Sequence, residues 1–140
     1  MTITWYLRSN KHRSPKGEIL EDAEKLTEKE ALAFMLTAIL GDGNAKIINS
    51  KGNDEAVIRI TMSGEKFDKW EPILDKLQDR FRWHKYPSNA VDEIAFYSSH
   101  AIDLARAMIS VLPPILRDVL DALGFEKWLN LRRIAEMEVK

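Results

Sequence analysis

The chain has no cysteine among its 140 residues. That excludes disulfides, thiolate metal sites and a cysteine nucleophile. It also lacks any apolar run approaching the roughly 20 residues of a membrane-spanning helix. The longest uncharged helical stretch, Ala31–Leu40, reaches about half that length. The opening residues, MTITWYLRSNKHR, contain no apolar stretch of the kind a secretory leader needs. These absences predict a cytoplasmic protein with no membrane attachment. There is no glycine-rich phosphate loop, and His12, His84 and His100 fall on different predicted elements without metal-ligand spacing. A large excess of one charge is missing too, since the formal net charge is −1, and so overall charge does not single out a polyanionic partner. The balance is nonetheless uneven. Arg8, Lys11, Arg13 and Lys16 stand near the N-terminus with no acid among them, which leaves the rest of the chain acidic.

What is present suits a single soluble domain. Apolar residues make up 45% and charged residues 31%, enough to bury a core without staples. A short strand, TITWY, and a polar basic loop over 6–19 are expected first. Thr27-Glu28-Lys29-Glu30 has the pattern of a capping box and predicts a helix from Thr27 to Leu40 or Gly41. This helix is apolar nearly all round and is expected to be buried on several sides, with Gly43 as its C′ glycine. Strands are predicted at Ala45–Ser50 and Ala56–Met62, joined by the turn-forming Lys51–Asp54. In the second, Ala56, Ile58, Ile60 and Met62 share one face, and Val57, Arg59 and Thr61 the other. A second helix opens at Ser63-Gly64 with an apolar stripe at Phe67, Trp70, Leu74, Leu77 and Phe81, interrupted by Pro72. A second strand pair, Arg82–Tyr86 and Glu93–Ser98, flanks Pro87-Ser88-Asn89. Ser98 or Ser99 is expected to cap a third helix, His100–Leu112. A fourth begins at Pro114 and closes at Gly124, and a fifth covers Phe125–Val139.

The fold class that follows is α+β. An αββαββα core over 27–112 carries a mostly antiparallel four-stranded sheet with helices on one face. An N-terminal segment (1–26) precedes the core and extra C-terminal helices (113–140) follow it, in one compact domain. The other sheet face is expected to be free and polar.

One stretch carries chemistry. The apolar first helix stops on Gly41-Asp42-Gly43, which puts a carboxylate where the helix dipole is already negative. A cation there would offset the repulsion, and carbonyl and carboxylate oxygens suit Mg²⁺. Glycine and aspartate also make a plain helix stop. Along the same helix Ala33, Thr37 and Gly41 recur every four residues, with Ala38 beside Thr37. A row of small residues permits close approach of another helix.

The segment MLTAILGDG (Met35–Gly43) resembles the LAGLIDADG motif of homing endonucleases and RNA-splicing maturases: a large apolar start, Ala38-Ile39-Leu40 in the middle, and a closing small-Asp-Gly. The order of elements after it is that family's. With one motif per chain, the resemblance implies a homodimer in which Ala33, Thr37, Ala38 and Gly41 form the helix–helix interface. It makes Asp42 the catalytic acid, with Asp42 and Gly41 holding Mg²⁺ or Mn²⁺. It also lays the free sheet face on duplex DNA. Lys46, Ser50, Arg59, Thr61, Arg82, His84, Tyr86 and Tyr97 then become candidate contacts, and Lys46, Lys51 and Lys85 phosphate-neutralising residues. The chain departs from the family pattern at Thr37, usually glycine. It also departs in its few basic residues and in having no lysine near the end of the last core strand, where His100 stands nearby. The function implied is that of a homodimeric metal-dependent DNA endonuclease. The alternatives are an inactive relative that binds nucleic acid as a maturase or regulator, and a structural or interaction protein whose Gly-Asp-Gly is only a helix stop.

Overall fold

The computed structural model describes residues 25–139. The N-terminal strand and basic loop expected from the sequence lie outside them. The described chain is α+β: α1 (Glu28–Asp42), β1 (Gly43–Ser50), β2 (Asn53–Ser63), α2 (Gly64–Phe81), β3 (His84–Ser88), β4 (Val91–Tyr97), α3 (Ser98–Ser110), α4 (Pro114–Leu123) and α5 (Glu126–Ala135). The four strands form one sheet in the order β1-β2-β4-β3, and every neighbouring pair is antiparallel. Among the described residues no helix is long and apolar enough to cross a membrane.

The capping box forms as its residues require. The Glu30 amide donates to Thr27 Oγ1 at 3.1 Å, and the Thr27 amide donates to Glu30 Oε1 at 3.2 Å, which satisfies two amides that the helix itself leaves unpaired. The α2 stripe buries Phe67, Leu74, Leu77 and Phe81, and the helix continues through Pro72. Ala56, Ile58, Ile60 and Met62 of β2 and Ile94 and Phe96 of β4 meet these helices in one core, together with Trp128, Leu131 and Ile134 of α5. The helices thus cover one sheet face, as alternation along β2 predicts.

Several boundaries differ from expectation, each for a local reason. Gly43 is not a left-handed C′ residue: its φ is −90° and ψ −176°, so α1 passes into β1 with no loop. A Cβ at Gly43 would stand 2.6 Å from Ile39 Cα and 3.0 Å from the Arg59 carbonyl oxygen. The glycine is there for close approach. The first hairpin turns on Lys51 and Gly52 alone, both at positive φ, as two-residue hairpin loops favour. The second turns at Asn89 (φ 36°), not at Pro87, which pairs with Asp92 in the edge strand β3. Proline is tolerated there because an edge strand can leave one side without hydrogen bonds. Ser98 does not cap α3. It sits at φ 51° inside the helix start, and its hydroxyl donates to Glu55 Oε1 at 3.0 Å. In α4 no residue is buried, and Ile115 remains 71% exposed.

Candidate nucleic-acid interface and the acidic end of α1

The strand registers decide which side chains share the open face. In an antiparallel pair, residues directly opposite point the same way. Asn44, Arg59, Ala95 and His84 form one row across the sheet; Lys46, Val57 and Tyr97 form the next; Thr61, Glu93 and Tyr86 form a third. Lys46, Ser50, Arg59, Thr61, His84, Tyr86 and Tyr97 therefore all fall on the face away from the helices.

This face is less polar than alternation suggested. His84, Tyr86 and Tyr97 cluster, with centroids 5.8 Å apart for His84–Tyr97 and 6.5 Å for each of the other two pairs. The Arg59 guanidinium lies 5.9 Å from the Tyr97 ring centre, and its Nε is 3.5 Å from Glu93 Oε1. Under these longer side chains Val57 and Ala95 are buried, although they belong to the open face. Glu93 is the partner that neutralises Arg59, a pairing of β4 with β2 that alternation within either strand does not reveal. Lys46 has no ion pair among the described residues.

Two candidates do not belong to this face. Arg82 is the residue after α2, in left-handed conformation at φ 40°, and its amide donates to the Gln78 carbonyl at 2.9 Å. It ends a helix instead of starting a strand. Lys85 pairs with Ile94 on the helix side of the sheet. Its ammonium sits 3.8 Å from the Phe67 ring centre and 3.9 Å from Asp92 Oδ2. Lys51 lies in the hairpin turn, exposed at one end of the sheet.

Within the aromatic cluster, hydrogen bonding to Tyr97, together with desolvation and the nearby Tyr97 charge, holds the Tyr86 phenol above its ordinary 10.0, while Arg59 opposes the shift. A raised value means that the folded chain favours the neutral phenol. Tyr86's contribution to stability is then complete below about pH 10, the usual phenol value, and is lost as pH rises through its folded-state pKa. Phenolate absorbance during an alkaline titration should show one tyrosine ionising late, and Tyr97→Phe should return it toward 10.0.

The acid lies at the edge of this face. β1 begins at Gly43 opposite Ile60. The last residues of β2, Thr61–Ser63, therefore have β4 on one side and the end of α1 on the other. A groove of about 400 Å³ opens there, with Thr37, Gly41 and Asp42 on one wall and Thr61, Lys66 and Trp70 on the other. Ala33, Thr37 and Gly41 are exposed and Ala38 is half-buried. The expectation that α1 is covered on several sides fails along this one stripe. Thr37 Oγ1 donates to the Ala33 carbonyl at 2.9 Å, so its hydroxyl proton is spent inside its own helix. A Cβ at Gly41 would meet nothing within 4 Å. Asp42 is exposed and makes no hydrogen bond or ion pair among the described residues, while the Gly41 carbonyl accepts from Lys127 Nζ at 2.6 Å.

Asp42 and Gly41 offer hard oxygen donors, the type that Mg²⁺ and Mn²⁺ prefer. Among the described residues no group of three or more His, Asp or Glu side chains is placed to hold a metal. One carboxylate with waters and substrate phosphates is a normal Mg²⁺ set, so the donors fit a site completed by other molecules.

No family model matches the chain, and no curated protein matches it in sequence. Among solved structures, it is similar to the homing endonuclease I-CvuI in complex with its target in the presence of 2 mM Ca, at 12% identity and a TM-score of 0.49, over 78% of this chain and 70% of the other. It is similar to the same degree to I-CvuI bound to the I-CreI target in the presence of 2 mM Mg, with the DNA not cleaved.

Proposed function

We propose that the chain is a homodimeric, Mg²⁺- or Mn²⁺-dependent endonuclease acting on duplex DNA in the cytoplasm, of the LAGLIDADG type. One observation carries this reading. The exposed small-residue stripe of α1 ends at an unpaired carboxylate, and that carboxylate borders the open sheet face. Two copies packed stripe to stripe make an isologous contact that brings two Asp42 side chains together at one end of two open faces. On each face Lys46 and Lys51 meet phosphates. The Arg59 guanidinium, held by Glu93 and Tyr97, would reach base edges in the major groove, which admits a two-stranded ribbon. Asp42 of each copy would hold a divalent ion, and bound there the ion would supply Lewis acidity for hydrolysis of the phosphodiester bond.

A second reading, binding without cutting, is favoured by the Lys127 ammonium at the Gly41 carbonyl, a position the metal reading also needs.

Titration onto random-sequence duplex DNA with Ca²⁺ at several salt concentrations tests the shared part. Binding should weaken with salt, and shallowly, because the open face carries few unpaired cations. Failure to bind at low salt ends both nucleic-acid readings and leaves Gly-Asp-Gly as a helix stop. Selection from a randomised duplex library with Mg²⁺ or Mn²⁺ then separates cutting from binding: an uncut library removes the enzyme.

A further inference from the structure

The last turn of α1 carries no basic residue, although its free carbonyls and Asp42 make that end negative. The chain supplies a cation from 86 positions away. Lys127 is half-buried in the first turn of α5. A lysine at a helix start opposes that helix's own dipole, so α5 gains nothing from it there. The anchoring of α5 explains its aim. Trp128 is fully buried and donates its indole N–H to Asp121 Oδ1 at 2.8 Å. One turn on from Lys127, Asn130 Nδ2 donates to the Ala45 carbonyl at 3.0 Å. Lys127 and Asn130 thus straddle the α1–β1 junction, and the ammonium takes the Gly41 carbonyl, a backbone oxygen next to Asp42.

We infer that Lys127 is a resident cation of the Asp42 site, in competition with divalent metal for the Gly41 carbonyl, so that loading a metal expels the lysine. The inference rests on the reading of Asp42 as a metal-holding acid. An ammonium and a divalent ion at bonding distance from one carbonyl oxygen repel each other at short range, which disfavours their joint occupancy. Free chain is therefore a poor metal binder, and the lysine keeps the helix end neutralised until a metal arrives.

The test is Mn²⁺ binding to the full chain without nucleic acid, read by electron paramagnetic resonance of the unbound ion. Lys127→Met keeps the stem and removes the charge; Lys127→Gln is the second variant should the first fold poorly. Either should bind Mn²⁺ about tenfold tighter than the unaltered chain, a coupling of ordinary size, and adding Asp42→Asn should erase the gain. During Ca²⁺ titration of the unaltered chain, the Lys127 ¹³Cε resonance should shift. Equal or weaker Mn²⁺ binding by both lysine variants overturns the inference, as does a gain that survives Asp42→Asn. If binding is equal in all chains but lost with Asp42→Asn, the inference fails and the metal reading stands. If binding is equal and indifferent to Asp42, the inference fails, and the metal reading, whose site substrate phosphates complete, is decided by the cleavage selection.

Discussion

Asp42→Asn should abolish cleavage, by about a thousandfold or more, while leaving the melting temperature unchanged or slightly raised. On the proposed function, the rate effect follows from removing the carboxylate that would hold the metal; loss of a single preorganised electrostatic group costs about 10²–10³ in typical enzymes, and a homodimer would lose two. The stability effect has the opposite sign. Asp42 is exposed and has no partner among the described residues, so asparagine of the same shape gives up no native contact. The substitution also removes a negative charge from a helix C-terminus, worth about a few tenths of a kcal/mol. Duplex affinity should hold or improve, since two negative charges leave the neighbourhood of phosphates. Plasmid nicking with Mg²⁺, beside thermal unfolding of the same samples, reads both quantities. Retained nicking in Asp42→Asn means the acid lies elsewhere.

Gly43→Ala, one residue on, should destabilise the chain by about 3 kcal/mol, the upper range for overpacking a core. That corresponds to a fall of roughly 10 °C in melting temperature for a domain of this size. The new methyl would stand 2.6 Å from Ile39 Cα and 3.0 Å from two carbonyl oxygens. These are backbone atoms of the last turn of α1 and of β2, so no rotamer change relieves the clash. The helix end must move off the strand. Gly41→Ala is the matched control. Its methyl meets nothing within 4 Å, and alanine is the better helix former by about 0.5–1 kcal/mol. The two glycines, identical in the sequence, should respond with opposite signs under urea or heat at dilutions that keep the chain monomeric, since a stripe-to-stripe dimer would bring a second helix against Gly41.

That contrast shows what the sequence discloses and what it hides. Thr27 and Glu30 announce a capping box because both partners lie within four residues. The face of every β2 residue is readable because the period of a strand is two. The β3 start is not. Arg82 is an ordinary arginine by sequence; it turns left-handed because Trp83 Nε1 donates to the Leu74 carbonyl at 2.8 Å and Gln78 reaches the Trp83 carbonyl at 3.3 Å. Tertiary contacts place the strand two residues later, which removes Arg82 from the open sheet face. Pro87 misleads in the other direction, since its turn signal is overridden by an edge position where the missing N–H costs nothing. Lys85 is a lysine among candidate contacts until the register turns it toward Phe67. At the acidic helix end, Asp42 and the small stripe were legible. Lys127 was not, because nothing local links a residue of the last helix to the end of the first.

The direct passage of α1 into β1 has a consequence for how such a chain is inherited. Asp42 and Gly43 sit side by side under opposite constraints: Asp42 is exposed and free of the fold, so only the proposed chemistry would hold it, whereas Gly43 is bound by the fold. On the proposed function, a lineage can shed the acid in one step, keep the sheet, the stripe and its cation cap, and pass on a stable protein that only binds. It cannot shed the glycine. Among descendants of one ancestor, the second glycine should outlast the aspartate, and activity should come and go on a scaffold that does not change.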